Sequence, residues 1–280
     1  MTILVTGGGG RLGRHLQREG VVALDVDRLD IRDADRVTRA LAEYAPTCVI
    51  DAAAYTEVDK AESDRERAFA INRDGAGILA RACQRRGVRL LHVSTDYVFD
   101  GAASRPYRED DACAPLGVYG ESKAAGEREV HAAGGVVVRT SWLFDDRGPS
   151  FVHAMLRLAK ERAVLRVVAD QHGRPTYAGD LAEALLALAA RDELQPTYHY
   201  ANAGETTWHA FATATIDEAR RRGAVLACER IDAITTADYP TPATRPAYSV
   251  LDTSRIGALG IVPPHWSIGL SRVVARAVDR

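Results

Sequence analysis

The sequence predicts an α/β fold: a parallel sheet wound with helices on both faces, joined to a smaller, interleaved C-terminal lobe. Three observations predict it. Short β-branched runs alternate with helical runs from the N-terminus to about residue 169. A cluster of glycines falls between the first strand and the first helix. Past residue 170 the alternation loosens into helices, short strands and loops, where Pro240, Pro242, Pro246, Pro263 and Pro264 mark irregular connections.

Residues 2–6 read as the first strand, because Ile3-Leu4-Val5 is a short apolar run that stops at glycine. A helix follows from about Leu12. Residues 21–25 form a second strand that ends on Asp25. A helix over 34–44 leads to a third strand at 47–53. A long helical region, about 62–86, precedes a fourth strand at 88–94. A helix that carries Tyr119 and Lys123 and runs to about His131 precedes a fifth strand at 136–140. A helix over 151–162 leads to a strand at 165–169. Two more helices are expected at about 179–190 and 208–222.

A chain of 280 residues with 46% hydrophobic content can bury a sizeable core. Its formal charge of −2 gives no reason to expect nucleic acid or an anionic membrane as partner. Cys48, Cys83, Cys113 and Cys228 are scattered, which suits free thiols in a reducing, cytoplasmic setting. No signal-peptide pattern opens the chain. The most apolar stretch, at 181–190, is interrupted by Glu183, so no membrane span is expected.

The glycine cluster is Thr6-Gly7-Gly8-Gly9-Gly10-Arg11-Leu12-Gly13. A dinucleotide pyrophosphate needs a tight turn free of side chains, with helix N–H groups aimed at it, in just this place. Gly8, Gly10 and Gly13 fit one known spacing; Gly7, Gly10 and Gly13 fit another. The fold is therefore expected to be Rossmann-like. Residues 1–145 would bind NAD(P), and 146–280 would form most of a substrate lobe, with some strands and helices returning to the sheet. Asp25 suits the adenosine ribose hydroxyls and favours NADH, whereas Arg11 and Arg28 suit a 2′-phosphate and favour NADPH. Both cofactors are expected to work.

Tyr119 and Lys123 stand four residues apart, on one face of their helix. An ammonium beside a phenol stabilises phenolate. A phenol so tuned can give a proton to a carbonyl oxygen or take one from an alcohol. The 36 cations include only three lysines, Lys60, Lys123 and Lys160, so a lysine here stands out. At the end of the fourth strand, the hydroxyl of either Ser94 or Thr95 could bond the oxygen whose charge changes.

These stretches resemble the extended short-chain dehydrogenase/reductase superfamily and, within it, the dTDP-4-dehydrorhamnose reductase family. The resemblance also rests on residues 49–62, 94–101, 139–142, 170–176, 239–243 and 245–246, and so runs through nearly the whole chain. It implies Tyr119 as proton donor, with Lys123 lowering its pKa and holding the nicotinamide ribose, and Thr95 as the third catalytic residue. Thr95 and Asp96 would touch the sugar, and Trp142 would close over it. Gly7, Gly10, Arg11, Leu12 and Gly13 would hold the pyrophosphate side of the cofactor. Asp25, Asp30 and Ile31 would line its adenosine side, and Ala54, Tyr55, Thr56 and Val93 would pass along it. Arg174 and Arg245 are cations available to a nucleotide diphosphate. The reaction implied is reduction of a dTDP-sugar, dTDP-4-dehydro-L-rhamnose, to dTDP-L-rhamnose, with no metal needed. Sister reductases of other dTDP-keto-sugars, epimerases or dehydratases that retain NAD, and a regulatory subunit of methionine adenosyltransferase are the rivals. The family often has Gln at Arg11 and Asn at Asp51. Where some members place a glutamate that holds a metal across a dimer, this chain has His15, so either a monomer or a homodimer is expected.

Overall fold

The structure is a computed structural model that describes residues 2–278. Its centre is a six-stranded, wholly parallel sheet, built mainly from the first half of the chain. In chain order the elements are β1 (Ile3–Thr6), α1 (Arg11–Leu16), β2 (Val21–Leu24), α2 (Ala34–Tyr44), β3 (Cys48–Asp51), α3 (Val58–Ala61), α4 (Arg65–Phe69), a π-helical turn (Ala70–Gly75), α5 (Ala76–Arg86), β4 (Arg89–Thr95), a 3₁₀ turn (Asp96–Val98), α6 (Val118–Ala132) and β5 (Val136–Thr140). The second half adds β6 (Leu143–Phe144), α7 (Phe151–Glu161), β7 (Val164–Val168), β8 (His172–Gly173), β9 (Thr176–Tyr177), α8 (Ala178–Ala189), β10 (Thr197–His199), β11 (Thr206–Thr207), α9 (Trp208–Arg221), β12 (Arg230–Ile234), α10 (Ser254–Gly257) and α11 (Trp266–Val278).

The sheet order is β10-β5-β4-β3-β1-β2. Alternation along each strand fills both faces. Ile3, Val5, Ile50, Leu91 and Val138 pack against Leu12 and Leu16 of α1 and Leu181, Leu185 and Leu188 of α8. Leu4, Val49, Leu90 and Val137 face Val37 and Leu41 of α2 and Leu79 and Cys83 of α5. The second half thus returns a strand, β10, and a helix, α8, to the sheet layers. Helices α7, α9 and α11 pack on one another, the short α10 lies against β10, and β7 and β12 form a separate parallel pair.

Chain order reverses between β1 and β3, which lie side by side. In such a sheet the crevice at the strand C-termini beside that switch is where ligands bind. The elements differ from the sequence reading in several places: β2 stops at Leu24, before Asp25, β3 stops at Asp51, and α11 is a helix that the sequence reading does not include. The helical region expected at 62–86 begins earlier, at Val58, and is broken into α3, α4, a π-helical turn and α5. The side chain of Asn72, within the π turn, accepts from the Tyr55 N–H (2.8 Å) and donates to the Tyr55 carbonyl (3.1 Å) and to Ser122 Oγ (2.9 Å). That tie to the cleft wall and to α6 accompanies the wider turn.

Asp33 begins α2 by accepting from the N–H groups of Asp35 and Arg36, both at 3.0 Å. Asp33→Ala is expected to cost about 1 kcal/mol. In a chain of this size that lowers Tm by about 2 °C, readable by thermal melting.

Candidate active site

A cleft of about 530 Å³ opens at the strand ends. Its lining joins Gly10, Arg11 and Leu12 after β1, Ala54 and Thr56 after β3, Val93, Thr95 and Asp96 of β4 and its turn, Tyr119 and Lys123 of α6, and Trp142 after β5. Thus candidates spread over more than 130 residues of sequence meet in one concavity.

The glycine loop is shaped by close approach. Gly7 has φ +65°, and a Cβ on Gly13 would overlap the Gly7 carbonyl oxygen. Larger residues would push α1 away from the loop. No side chain caps α1 at Gly10, which leaves the first N–H groups of that helix without a side-chain acceptor. Asp25 lies against the loop, its carboxylate where a Cβ on Gly9 would fall. Arg11 donates to the Pro149 carbonyl (3.0 Å) and Arg28 to the Tyr44 hydroxyl (2.8 Å).

Asp25 lies behind the loop and outside the cleft lining, and the side chains of Asp30, Ile31 and Tyr55 are not brought to the cleft wall either. Asp30 is in a bidentate pair with Arg32, with a shortest contact of 2.6 Å, which holds its carboxyl below the usual range. Ile31 is buried, close to Gly75. Tyr55 turns its ring inward and its hydroxyl to Asp64 (3.2 Å), while its neighbours Ala54 and Thr56 face the cleft. The reason is alternation: in an extended segment, consecutive side chains point to opposite sides.

Tyr119 is half-buried in the cleft wall, and desolvation pushes its phenol up to about 12. The Thr95 hydroxyl favours the phenolate and the Asp96 charge opposes it. Lys123 makes no such contribution. Its ammonium donates to the Val93 carbonyl (2.8 Å) and lies 3.0 Å from His92 Nε2. The expected pairing of Lys123 with the Tyr119 phenol is not seen in this structure, where the interior strand β4 supplies the ammonium's partners. Burial pulls Lys123 down to about 8, against the charges of Asp51 and Glu127. Asp96 is buried too, and accepts from Ser249 Oγ (2.6 Å) and Thr95 Oγ1 (3.1 Å). Burial outweighs these bonds and raises its carboxyl to about 6.

Trp142 has a left-handed backbone, φ +47°, unusual for a bulky residue and a mark of local strain. Its indole stacks on Trp208 at 3.7 Å between ring centroids and 8° between planes. A Cβ on Gly173 would lie 2.5 Å from the indole, so only glycine fits on that side. Sequence reading missed Trp208 and Phe151, which also line the cleft. The scarcity of tryptophan, three in 280 residues, was the available signal.

The remaining motif stretches support these groups from behind. Asp59 accepts from both terminal nitrogens of Arg245 (2.9 and 2.7 Å) and from the Ala243 N–H (3.2 Å), joining 49–62 to 239–246. Glu62 accepts from the Val118 N–H at the start of α6 (2.9 Å). Arg174 donates to the Leu251 carbonyl (3.0 Å). The two arginines suggested for a diphosphate are thus both engaged by protein groups. His15 sits 3.3 Å from Asp145 and 3.2 Å from Asp146, and these acids are also matched by Arg14 and Arg276.

A model of the RmlD substrate binding domain matches residues 1–278. The chain belongs to that family. Among its relatives, the dTDP-4-dehydrorhamnose reductase of Aggregatibacter actinomycetemcomitans is 44% identical, with 98% of this chain and 99% of that protein covered. The protein of that name from Streptomyces griseus is 46% identical, covering 96% and 91%. A crystal structure of dTDP-4-dehydrorhamnose reductase from Bacillus anthracis, in complex with NADP, matches with a TM-score of 0.91 at 36% identity, over 98% of this chain and 99% of that one. The family resemblance read from the motifs is therefore borne out, as is the Rossmann-like α/β fold. No helix among the described residues is long and apolar enough to cross a membrane.

Proposed function

We propose that this chain is an NAD(P)H-dependent oxidoreductase that reduces the 4-keto group of dTDP-4-dehydro-L-rhamnose to give dTDP-L-rhamnose. The observation that carries this reading is the meeting, in one cleft, of the glycine loop, Tyr119, Lys123, Thr95 and the Trp142 platform. The family's relatives that bear this activity in their names match over nearly their whole length.

The cleft fits a dinucleotide: an uncapped helix start at Gly10, a loop too tight for side chains, and the lysine of α6 at the far wall. Gly7, Gly10, Arg11, Leu12 and Gly13 would hold the pyrophosphate, with Asp25 beside them, and Ala54, Thr56, Val93 and Lys123 would line the rest. Reduced nicotinamide bound there supplies the hydride. The protein supplies the proton and the charge. A phenol raised to about 12 carries its proton at neutral pH, so Tyr119 is ready to donate to the developing alkoxide. The Thr95 hydroxyl would bond the same oxygen. Asp96 would accept from sugar hydroxyls, and the flat face of Trp142 suits the apolar face and 6-methyl group of a deoxyhexose. Beyond Phe151 and Trp208, which they share, the cleft adjoins a second cavity of about 630 Å³. It carries Arg162 and Arg166 beside Met155, Leu158, Val167 and Tyr239, a mixed lining suited to a nucleoside diphosphate.

The test is NAD(P)H oxidation by the purified protein with a panel of dTDP-4-keto sugars. Stoichiometric consumption with dTDP-4-dehydro-L-rhamnose is expected. Turnover of another keto-sugar alone would move the protein to a sister reductase. Because Asp25 and Arg11 pull in opposite directions, kcat/KM for NADPH and NADH is expected to differ by less than about 100-fold, roughly 2.7 kcal/mol. A thousandfold gap would show that one of the two dominates. Trp142→Ala is expected to raise the KM for the sugar about tenfold, with the Kd for NADPH little changed. Equal losses in both would remove Trp142 from the sugar site.

A further inference from the structure

Asp51 ends β3 at the middle of the sheet and is 1% exposed. Its two oxygens reach three segments that border the cleft. Oδ1 accepts from Thr6 Oγ1 (2.5 Å), just before the glycine loop, and from the Ala53 N–H (3.3 Å), between the wall residues Ala52 and Ala54. Oδ2 lies 2.7 Å from His92 Nδ1. A carboxylate can only accept, so Nδ1 carries the imidazole proton and Nε2 presents a lone pair. That lone pair faces the Lys123 ammonium at 3.0 Å. With the Val93 carbonyl, His92 occupies two of the three N–H donors of Lys123 and leaves one for the cleft.

We propose that Asp51 and His92 are positioning residues: Asp51 fixes the imidazole tautomer, and the imidazole then holds Lys123 as an ammonium at the cofactor wall. This rests on the reading of Lys123 as a cofactor-holding residue. It gives a role to a departure from the asparagine that the family often carries at this position. An asparagine there would present an amide N–H to Nδ1. His92 would then move its proton to Nε2, where it could no longer accept from Lys123, with almost no change of shape.

The charges around Lys123 support the same conclusion. Asp51 of β3 and Glu127, one turn along α6, both favour the ammonium, and burial opposes it. Glu127 is matched by Arg139 of β5. Behind Asp51, burial raises the Cys83 thiol of α5 to about 12, so it stays uncharged. Arg73 and Asp74 of the π turn pair with each other at the surface, and Asp96 of the 3₁₀ turn stands by Tyr119. Asp51 is therefore the unmatched anion that sustains Lys123 up to a pH of about 8.

The test is Asp51→Asn, read in two ways that do not depend on sugar turnover. In ¹⁵N spectra of histidine-labelled protein, with His92→Gln to assign the resonance, His92 is expected as the Nδ1–H tautomer in the wild type and the Nε2–H tautomer in Asp51→Asn. The midpoint above which NADPH binding weakens is expected to fall by about one pH unit, so near pH 8 the Kd rises about fivefold, while near pH 6 it is unchanged. An Nε2–H tautomer in the wild type overturns the proposal, even if the variant fails to fold. A switched tautomer with an unmoved binding profile overturns it too, since His92 would not then govern Lys123. If NADPH binds as described but no dTDP-keto-sugar is reduced, it is the substrate reading that fails.

Discussion

Tyr119→Phe is expected to lower kcat by about 10²–10⁴-fold while NAD(P)H still binds, the usual worth of a positioned general acid. The substitution removes one oxygen from a residue whose ring is already held, edge-on to Tyr97 at 5.7 Å between centroids. The fold and the cleft should therefore persist. What is lost is the phenol hydroxyl that stands with Thr95 in the cleft wall. Single-turnover kinetics would separate this from a binding defect. Near-wild-type turnover would mean that the proton comes from elsewhere, and Asp96, raised to about 6, would be the next group to test.

The largest loss of stability is expected from Glu127→Ala. Glu127 and Arg139 form an almost fully buried pair, with Arg139 Nη2 2.7 Å and Nε 3.0 Å from the carboxylate oxygens. A guanidinium does not shed its proton, so removing the acid leaves an unpaired buried cation, at a cost of about 3–5 kcal/mol. The neighbouring His199, which burial and Arg139 together hold well below the usual imidazole range at about 3, cannot compensate. In a chain of this size the loss lowers Tm by about 10 °C. Glu127→Gln, which retains hydrogen-bond acceptance, should lose less. Equal melting of Glu127→Ala and the wild type would show that the pair contributes nothing to the fold.

The strands were the most legible part of the chain. β1, β3, β4 and β5 fall within a residue or two of the apolar runs that announced them, because a strand buried on both faces is largely apolar. The breaks between Val58 and Ala76 were not legible, since Asn72 sets that local form through contacts 17 and 50 residues away. Tyr119 and Lys123 could be singled out by their spacing, whereas strand position left Ser94 and Thr95 open and only the family resemblance chose Thr95. Trp208 could not be tied to Trp142, because their stacking depends on how the second half folds over the first. Asp30, Ile31 and Tyr55 illustrate a different limit. The sequence could propose segments, but local pairing and alternation decide which of their side chains face the cleft. The partner of Lys123 was hidden for the same reason. His92 stood out as a histidine within the apolar run Leu90-Leu91-His92-Val93, yet nothing in the sequence joined it to Asp51.

The central claim is that hydride passes from the cofactor to the sugar carbon while the protein supplies the proton. It is tested most directly with NADPH deuterated at the transferable C4 position and dTDP-4-dehydro-L-rhamnose as substrate, the product being read by NMR and mass spectrometry. The account predicts dTDP-L-rhamnose bearing one deuterium at sugar C4, formed in step with cofactor oxidation. A rearranged sugar with no deuterium at C4 and no net oxidation of NADPH would contradict it.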